Sequence, residues 1–176
     1  MGKITTIYLD NCGLPDVPAA LATATSLHTL VLVNNRISVI SPVILKLVNL
    51  VTLDLSLNSI SRVPPQIEKL SNLVTLGLAC NLLYTIPSEI SKLSKLKRLY
   101  LHGNYLNVLP PSITQMTTLE ELFLASNPMP YSLQRIYHAW ASKATELDLS
   151  NQGLSSLPAV IGSLKNLSVL KIAKNR

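Results

Sequence analysis

Residues 50–72 read LVTLDLSLNSISRVPPQIEKLSN, and the spacing within this stretch decides the fold. With Leu50 as position 1, apolar side chains fall at Leu50, Leu53, Leu55, Ile60, Val63, Ile67 and Leu70, with Asn58 at position 9 and Pro64 after Val63. The same frame recurs every 23 residues, starting at Ile4, Leu27, Leu50, Leu73, Leu96 and Leu119. A 25-residue unit then shifts the next starts to Ala144 and Leu167, the last one partial. Within each L-x-L the period is 2, which sends the leucines to one face of a strand and their neighbours to the other. The asparagine (Asn35, Asn58, Asn81, Asn104, Asn127, Asn175) carries a donor and an acceptor on a short side chain, suited to backbone groups where the chain turns inward. A proline then ends the sheet segment at Pro18, Pro64, Pro87, Pro110 and Pro158, because it has no N–H for the ladder. Ile67/Leu70 and Ile90/Leu93 have the spacing of a short helical turn that lays two side chains on the core.

This pattern resembles the leucine-rich-repeat family, most closely the intracellular 23-residue type of Ras-group scaffold proteins, with L-P-x-x-I-x-x-L after the asparagine. The resemblance covers Ile4 to Arg176. It implies an α/β solenoid, a horseshoe over residues 1–176 with a concave parallel β-sheet and short helical turns on the convex side. It also implies a protein-interaction role, tied by analogy to small-GTPase or phosphatase signalling; fold alone does not fix such a role.

Two departures from the frame are informative. After Asn127 the chain runs Pro128-Met129-Pro130, and Leu133, Ile136, Tyr137 and Trp140 then recur at i, i+3, i+4 and i+7. That spacing predicts an amphipathic helix over 132–143 with its stripe on the core. Further on, Asn151-Gln152-Gly153-Leu154 echoes Asn11-Cys12-Gly13-Leu14, with the ladder asparagine replaced in both. The expectation is one complete array and the opening of a second from Ala144, joined at the long-helix repeat. Leu167 to Arg176 supply a strand that stops at the position-9 asparagine, so an apolar edge and end-to-end self-association are expected.

Composition narrows the function classes. Leucine fills 35 of 176 positions, hydrophobic residues make up 48% and charged ones 14%, so the chain must fold around a core. No run approaches the roughly 20 apolar residues of a membrane span. Met1 to Asp10 lacks a signal-peptide run, and a cytoplasmic location is expected. Met1, Gly2 and Thr6 fit the loose N-myristoylation pattern, but repeat structure from Ile4 leaves the transferase little free chain. Cys12 and Cys80 lie three repeats apart, roughly 14 Å at a strand spacing of about 4.8 Å, beyond the ~7 Å a disulfide spans. The cysteine-rich caps of extracellular family members are absent, again favouring a reducing compartment. Asn166-Leu167-Ser168 matches a glycosylation sequon, but its Leu167 occupies a core position. His28, His102 and His138 have no metal-ligand spacing, and Gly77 and Gly103 stand isolated from any phosphate loop; no metal and no cofactor are expected. Asp54, Ser56 and His102 face outward, yet the histidine is two repeats from the serine, around 10 Å, outside reach of a triad. An enzyme is not expected. Glu121, Glu146 and Asp148 converge on the later repeats as a solvated acidic patch.

The exposed positions 3, 5, 7, 8 and 10 then carry the function. Position 3 begins Thr6, Thr29, Thr52, Thr75, a plain solvent-facing ladder. The middle repeats expose Val31, Val33, Leu57, Cys80, Leu82, Tyr100, His102, Tyr105 and Phe123, with small Gly77, Ala79 and Ala125 between them. An apolar patch with aromatic anchors is the expected binding site for a protein partner, with Arg98 and Glu121 orienting it. Lys46, Lys69, Lys92, Lys95, Lys97 and Arg98 are expected to form a basic stripe on one rim, within a net charge of +6, able to steer an acidic partner. Nucleic acid is disfavoured, because the stripe lacks interleaved aromatics and the concave face carries Asp54, Glu146 and Asp148. Two functions remain: a protein-interaction scaffold, or the targeting segment of a larger signalling enzyme whose catalytic domain lies beyond Arg176.

Overall fold

The leucine spacing produces strands only three residues long, because one L-x-L pair is all that each repeat commits to the sheet. The computed structural model describes residues 4–176, so Gly2, the candidate acyl acceptor, lies outside the described residues. The strands are β1 (Thr6–Tyr8), β2 (Thr29–Val31), β3 (Thr52–Asp54), β4 (Thr75–Gly77), β5 (Arg98–Tyr100), β6 (Glu121–Phe123), β7 (Glu146–Asp148) and β8 (Val169–Lys171). They pair in parallel with equivalent positions opposite one another: Leu30, Leu53, Leu76, Leu99 and Leu122 form one row. β1 to β6 make one sheet and β7 and β8 a second.

Each strand's return path runs over the convex side. Short 3-10 turns occupy Ala19–Thr23, Pro65–Lys69, Ser88–Lys92, Pro111–Gln115 and Ala159–Ser163, each entered from the proline foreseen in the sequence. In the second repeat a four-residue helix, α1 (Pro42–Leu45), takes this place. Ile67, Ile90 and Ile113 on these turns share one buried core with Leu53, Leu76 and Leu99 of the sheet, and all six are wholly shielded from solvent. Burying a leucine or isoleucine contributes roughly 1.5–3 kcal/mol, so the interlocked rows provide the main stabilisation.

The asparagine ladder joins the repeats at the turn. Asn81 Oδ1 accepts the Ile60 N–H at 2.9 Å, and its Nδ2 donates to the carbonyls of Leu55 and Leu78 at 3.0 and 3.2 Å. Asn58 and Asn104 repeat the arrangement one unit earlier and later. One residue before the asparagine the backbone is left-handed in every repeat: Asn11, Asn34, Leu57, Cys80, Gly103, Ser126, Asn151 and Lys174 all have φ between +52° and +68°. In the first and seventh repeats, where Cys12 and Gln152 replace the asparagine, the next repeat's Asn35 and Asn175 serve two N–H groups each.

The predicted helix is present as α2 (Tyr131–Ala141). It ends two residues sooner than the apolar spacing suggests, since Lys143 takes φ +55° just beyond the Ser142 cap and closes the helix. Ile136 and Tyr137 are buried, Leu133 and Trp140 partly so, and the Tyr137 hydroxyl donates to the Leu109 carbonyl. α2 packs against both β6 and β7, and there the hydrogen-bonded ladder is interrupted.

Candidate interaction surface

Side chains at positions 3, 5 and 7 stand on the concave face in rows set by the strand register. The position-5 row is Tyr8, Val31, Asp54, Gly77, Tyr100, Phe123. Tyr100 and Phe123 are stacked, with ring centroids 4.9 Å apart and planes 7° from parallel, and His102 meets the Phe123 ring edge-on at 6.5 Å. The centroid spacing equals the strand spacing, so the parallel ladder itself sets the stack. Phe123 is 44% exposed, an open apolar face.

The sequence-predicted residues do not all come together. Val31 and Val33 are half-buried and are separated from the aromatics by Asp54 and Gly77 in one row and Ser56 and Ala79 in the other. A Cβ at Gly77 would lie 2.2 Å from Asp54 Oδ1, which accepts the Ser56 N–H, so a larger residue there would push the Asp54 carboxylate aside. Leu57 and Cys80 are exposed at the left-handed turn, and Gly103 follows them because a Cβ would sit 2.9 Å from Cys80 Sγ. Leu82 and Tyr105 project beyond the turn. Tyr105 stacks on Tyr84 at 5.2 Å, not on the Tyr100–Phe123 pair. The predicted residues therefore divide into the half-buried valines, the sheet aromatics with His102, the turn residues Leu57 and Cys80, and Leu82 with Tyr105 beyond the turn.

Tyr84 and Tyr8, exposed by 63% and 67%, and Tyr131 were missed by the sequence reading. Tyr8 shares the position-5 row with Tyr100 and could have been found by extending that row to its first member.

The charged residues also divide. Lys69 and Lys92 close convex turns, whereas Arg98 stands on β5 and donates through Nε to Thr75 Oγ1. The six cations thus do not form a single stripe, because position 3 and the convex turns lie on opposite faces. Lys97 pairs with Glu120 at 2.9 Å, and that bond holds the Glu120 carboxyl below its ordinary range. Lys171 bonds Glu146, and its ammonium is held above its usual range. Hydrogen bonding from Ser150 keeps the Asp148 carboxyl low. Ser56 Oγ accepts the Ala79 N–H, and no hydrogen bond joins Ser56 to His102. Both cysteines are free and exposed. Among the described residues no helix is long and apolar enough to cross a membrane, and no cluster of His, Cys, Asp and Glu has the arrangement of a metal site.

Comparison with known proteins agrees with this geometry. A family model described as leucine rich repeat matches residues 25–74 and 71–129. A leucine-rich-repeat protein of Leptospira interrogans superposes with a TM-score of 0.74 at 32% identity, covering 98% of this chain and 44% of its own. A chain of the BIR3–SERK2 complex from Arabidopsis thaliana, 32% identical, covers 72% of each chain with a TM-score of 0.58. A 34-residue stretch, 19% of this chain, is 65% identical to the probable serine/threonine-protein kinase roco5 of Dictyostelium discoideum. The chain thus spans less than half of the Leptospira protein and about 1% of the kinase. On the repeat spacing, the parallel ladder and these matches, the chain belongs to the leucine-rich-repeat family.

Proposed function

We propose that this chain is a non-catalytic interaction module that holds a protein partner on its concave face, with Tyr100, His102 and Phe123 as the anchor. The observation that carries the reading is the stacked, open Tyr100–Phe123 pair. Rigid aromatics lose little conformational entropy on binding and dominate interface energetics. Arg98 and Glu121, at opposite positions of the β5–β6 register beside the rings, set orientation. The BIR3–SERK2 match, a related chain within a protein complex, is in keeping with this role. The partner class that the Ras-group resemblance suggests is a small GTPase or a phosphatase in the cytoplasm.

The test is a pull-down from cell extract comparing the wild type with Tyr100→Ala/Phe123→Ala, both first shown to have the same circular dichroism. Loss of a partner in the double variant alone is expected. Retention of every partner would move the site to the Tyr84–Tyr105 rim or the convex side. A second reading, in which the array targets a larger signalling enzyme, draws on the identity with roco5; a catalytic domain encoded in frame beyond Arg176 is its test.

A further inference from the structure

From the break in the ladder between β6 and β7 we infer that the partner contributes an extended peptide strand which enters that gap and pairs with the free edge of β6. This rests on the concave-face reading and says what the partner presents there. At other repeat-to-repeat steps the position-6 N–H donates to the next strand: Leu55 to Gly77, Leu78 to Tyr100, Leu101 to Phe123, Leu149 to Lys171. The position-8 N–H does the same, as in Cys80 to His102 and Gly103 to Ala125. Leu124 and Ser126 hold these positions in the sixth repeat and make no such bond among the described residues, and neither do the N–H groups of Thr145 and Glu146 on the facing edge. A row of unsatisfied main-chain groups is a template for another strand.

An open cleft adjoins this edge. A cleft of about 670 Å³ lies between β6 and β7, with α2 as its rear wall. Arg135 on that wall has its guanidinium over the Tyr131 ring, 6.0 Å from the centroid. A strand's outward side chains fall at rows already defined by its neighbours. Its position-3 residue would stand between Glu121, which has no ion-pair partner among the described residues, and Glu146, which Lys171 already bonds, so lysine or arginine there answers the Glu121 carboxylate. Its position-5 residue would lie beside Phe123, where a third aromatic ring continues the Tyr100–Phe123 stack at the same spacing. The partner segment is thus extended, with a basic residue and an aromatic residue two positions later.

The probe is the peptide acetyl-Ser-Lys-Val-Tyr-Ala-Ser-amide, added to the isotope-labelled chain while amide hydrogen exchange is followed by NMR. The expected result is that exchange at Leu124 and Ser126 slows by about tenfold or more at saturating peptide. The same peptide N-methylated at the tyrosine amide, or with Glu for Lys, should give little slowing, and Glu121→Lys should weaken the response. Unchanged exchange at Leu124 and Ser126 up to millimolar peptide, or equal binding by the N-methylated peptide, would overturn the proposal. Those results would leave the concave-face reading standing, because it fails only if Tyr100→Ala/Phe123→Ala retains its partner.

Discussion

Replacing Asn81 by alanine tests whether the ladder, and not leucine burial alone, fixes each repeat's turn. Asn81 is 3% exposed. Removing Oδ1 leaves the buried Ile60 N–H without an acceptor, a loss of about 1–3 kcal/mol. Removing Nδ2 takes the donor from the Leu55 and Leu78 carbonyls, about 1 kcal/mol for each bond. The sum is about 3–5 kcal/mol. Asn175→Ala is the comparison: its Oδ1 serves Gln152 and Leu154 at part-buried positions where water can replace it, so the same deletion should cost only about 1 kcal/mol. Urea unfolding followed by circular dichroism, with unchanged slope, reads both values. Equal losses in the two variants, or a loss below about 1.5 kcal/mol for Asn81→Ala, would refute the argument that buried main-chain groups depend on the amide.

Other outcomes follow from single positions. Leu57 is 49% exposed at φ +57°, in a row where Asn11, Asn34 and Asn151 occupy the same conformation, so Leu57→Asn should stabilise by about 0.5–1 kcal/mol in urea midpoints. Gly77→Ala should destabilise by about 1 kcal/mol, since Asp54 must swing away and release the Ser56 N–H; in an Asp54→Ala background the cost should vanish, and a double-mutant cycle measures the coupling. Burial raises the Tyr137 phenol above its ordinary value of 10.0. Folding therefore favours the protonated form, a stability present below the unfolded value and lost as pH rises through the higher folded one. Alkaline melting should show that loss in the wild type, and Tyr137→Phe should remove it.

The repeat frame made most of the fold legible because a core position meets the same surroundings in every unit. Leu53 packs between Leu30 and Leu76 and must have nearly their shape, so the spacing is repeated and visible. The same holds for the ladder asparagines and for the prolines that enter the convex turns. The helix over 131–141 was visible because its stripe broke the 23-residue pattern.

Exposed positions carry no such constraint, and there tertiary structure decided. The sequence placed nine apolar side chains on one patch; the register divides them, because Asp54 and Gly77 interrupt a row whose members are 23 residues apart. It could not show Tyr105 meeting Tyr84, a contact across the turn between different positions of adjacent repeats. Nor could it show that α2 packs against both β6 and β7 where the ladder is lost, leaving the Leu124 and Ser126 amides unpaired. Periodicity reports what each repeat buries; where neighbouring repeats part depends on how a helix fits between them, and that is settled only when the chain is packed.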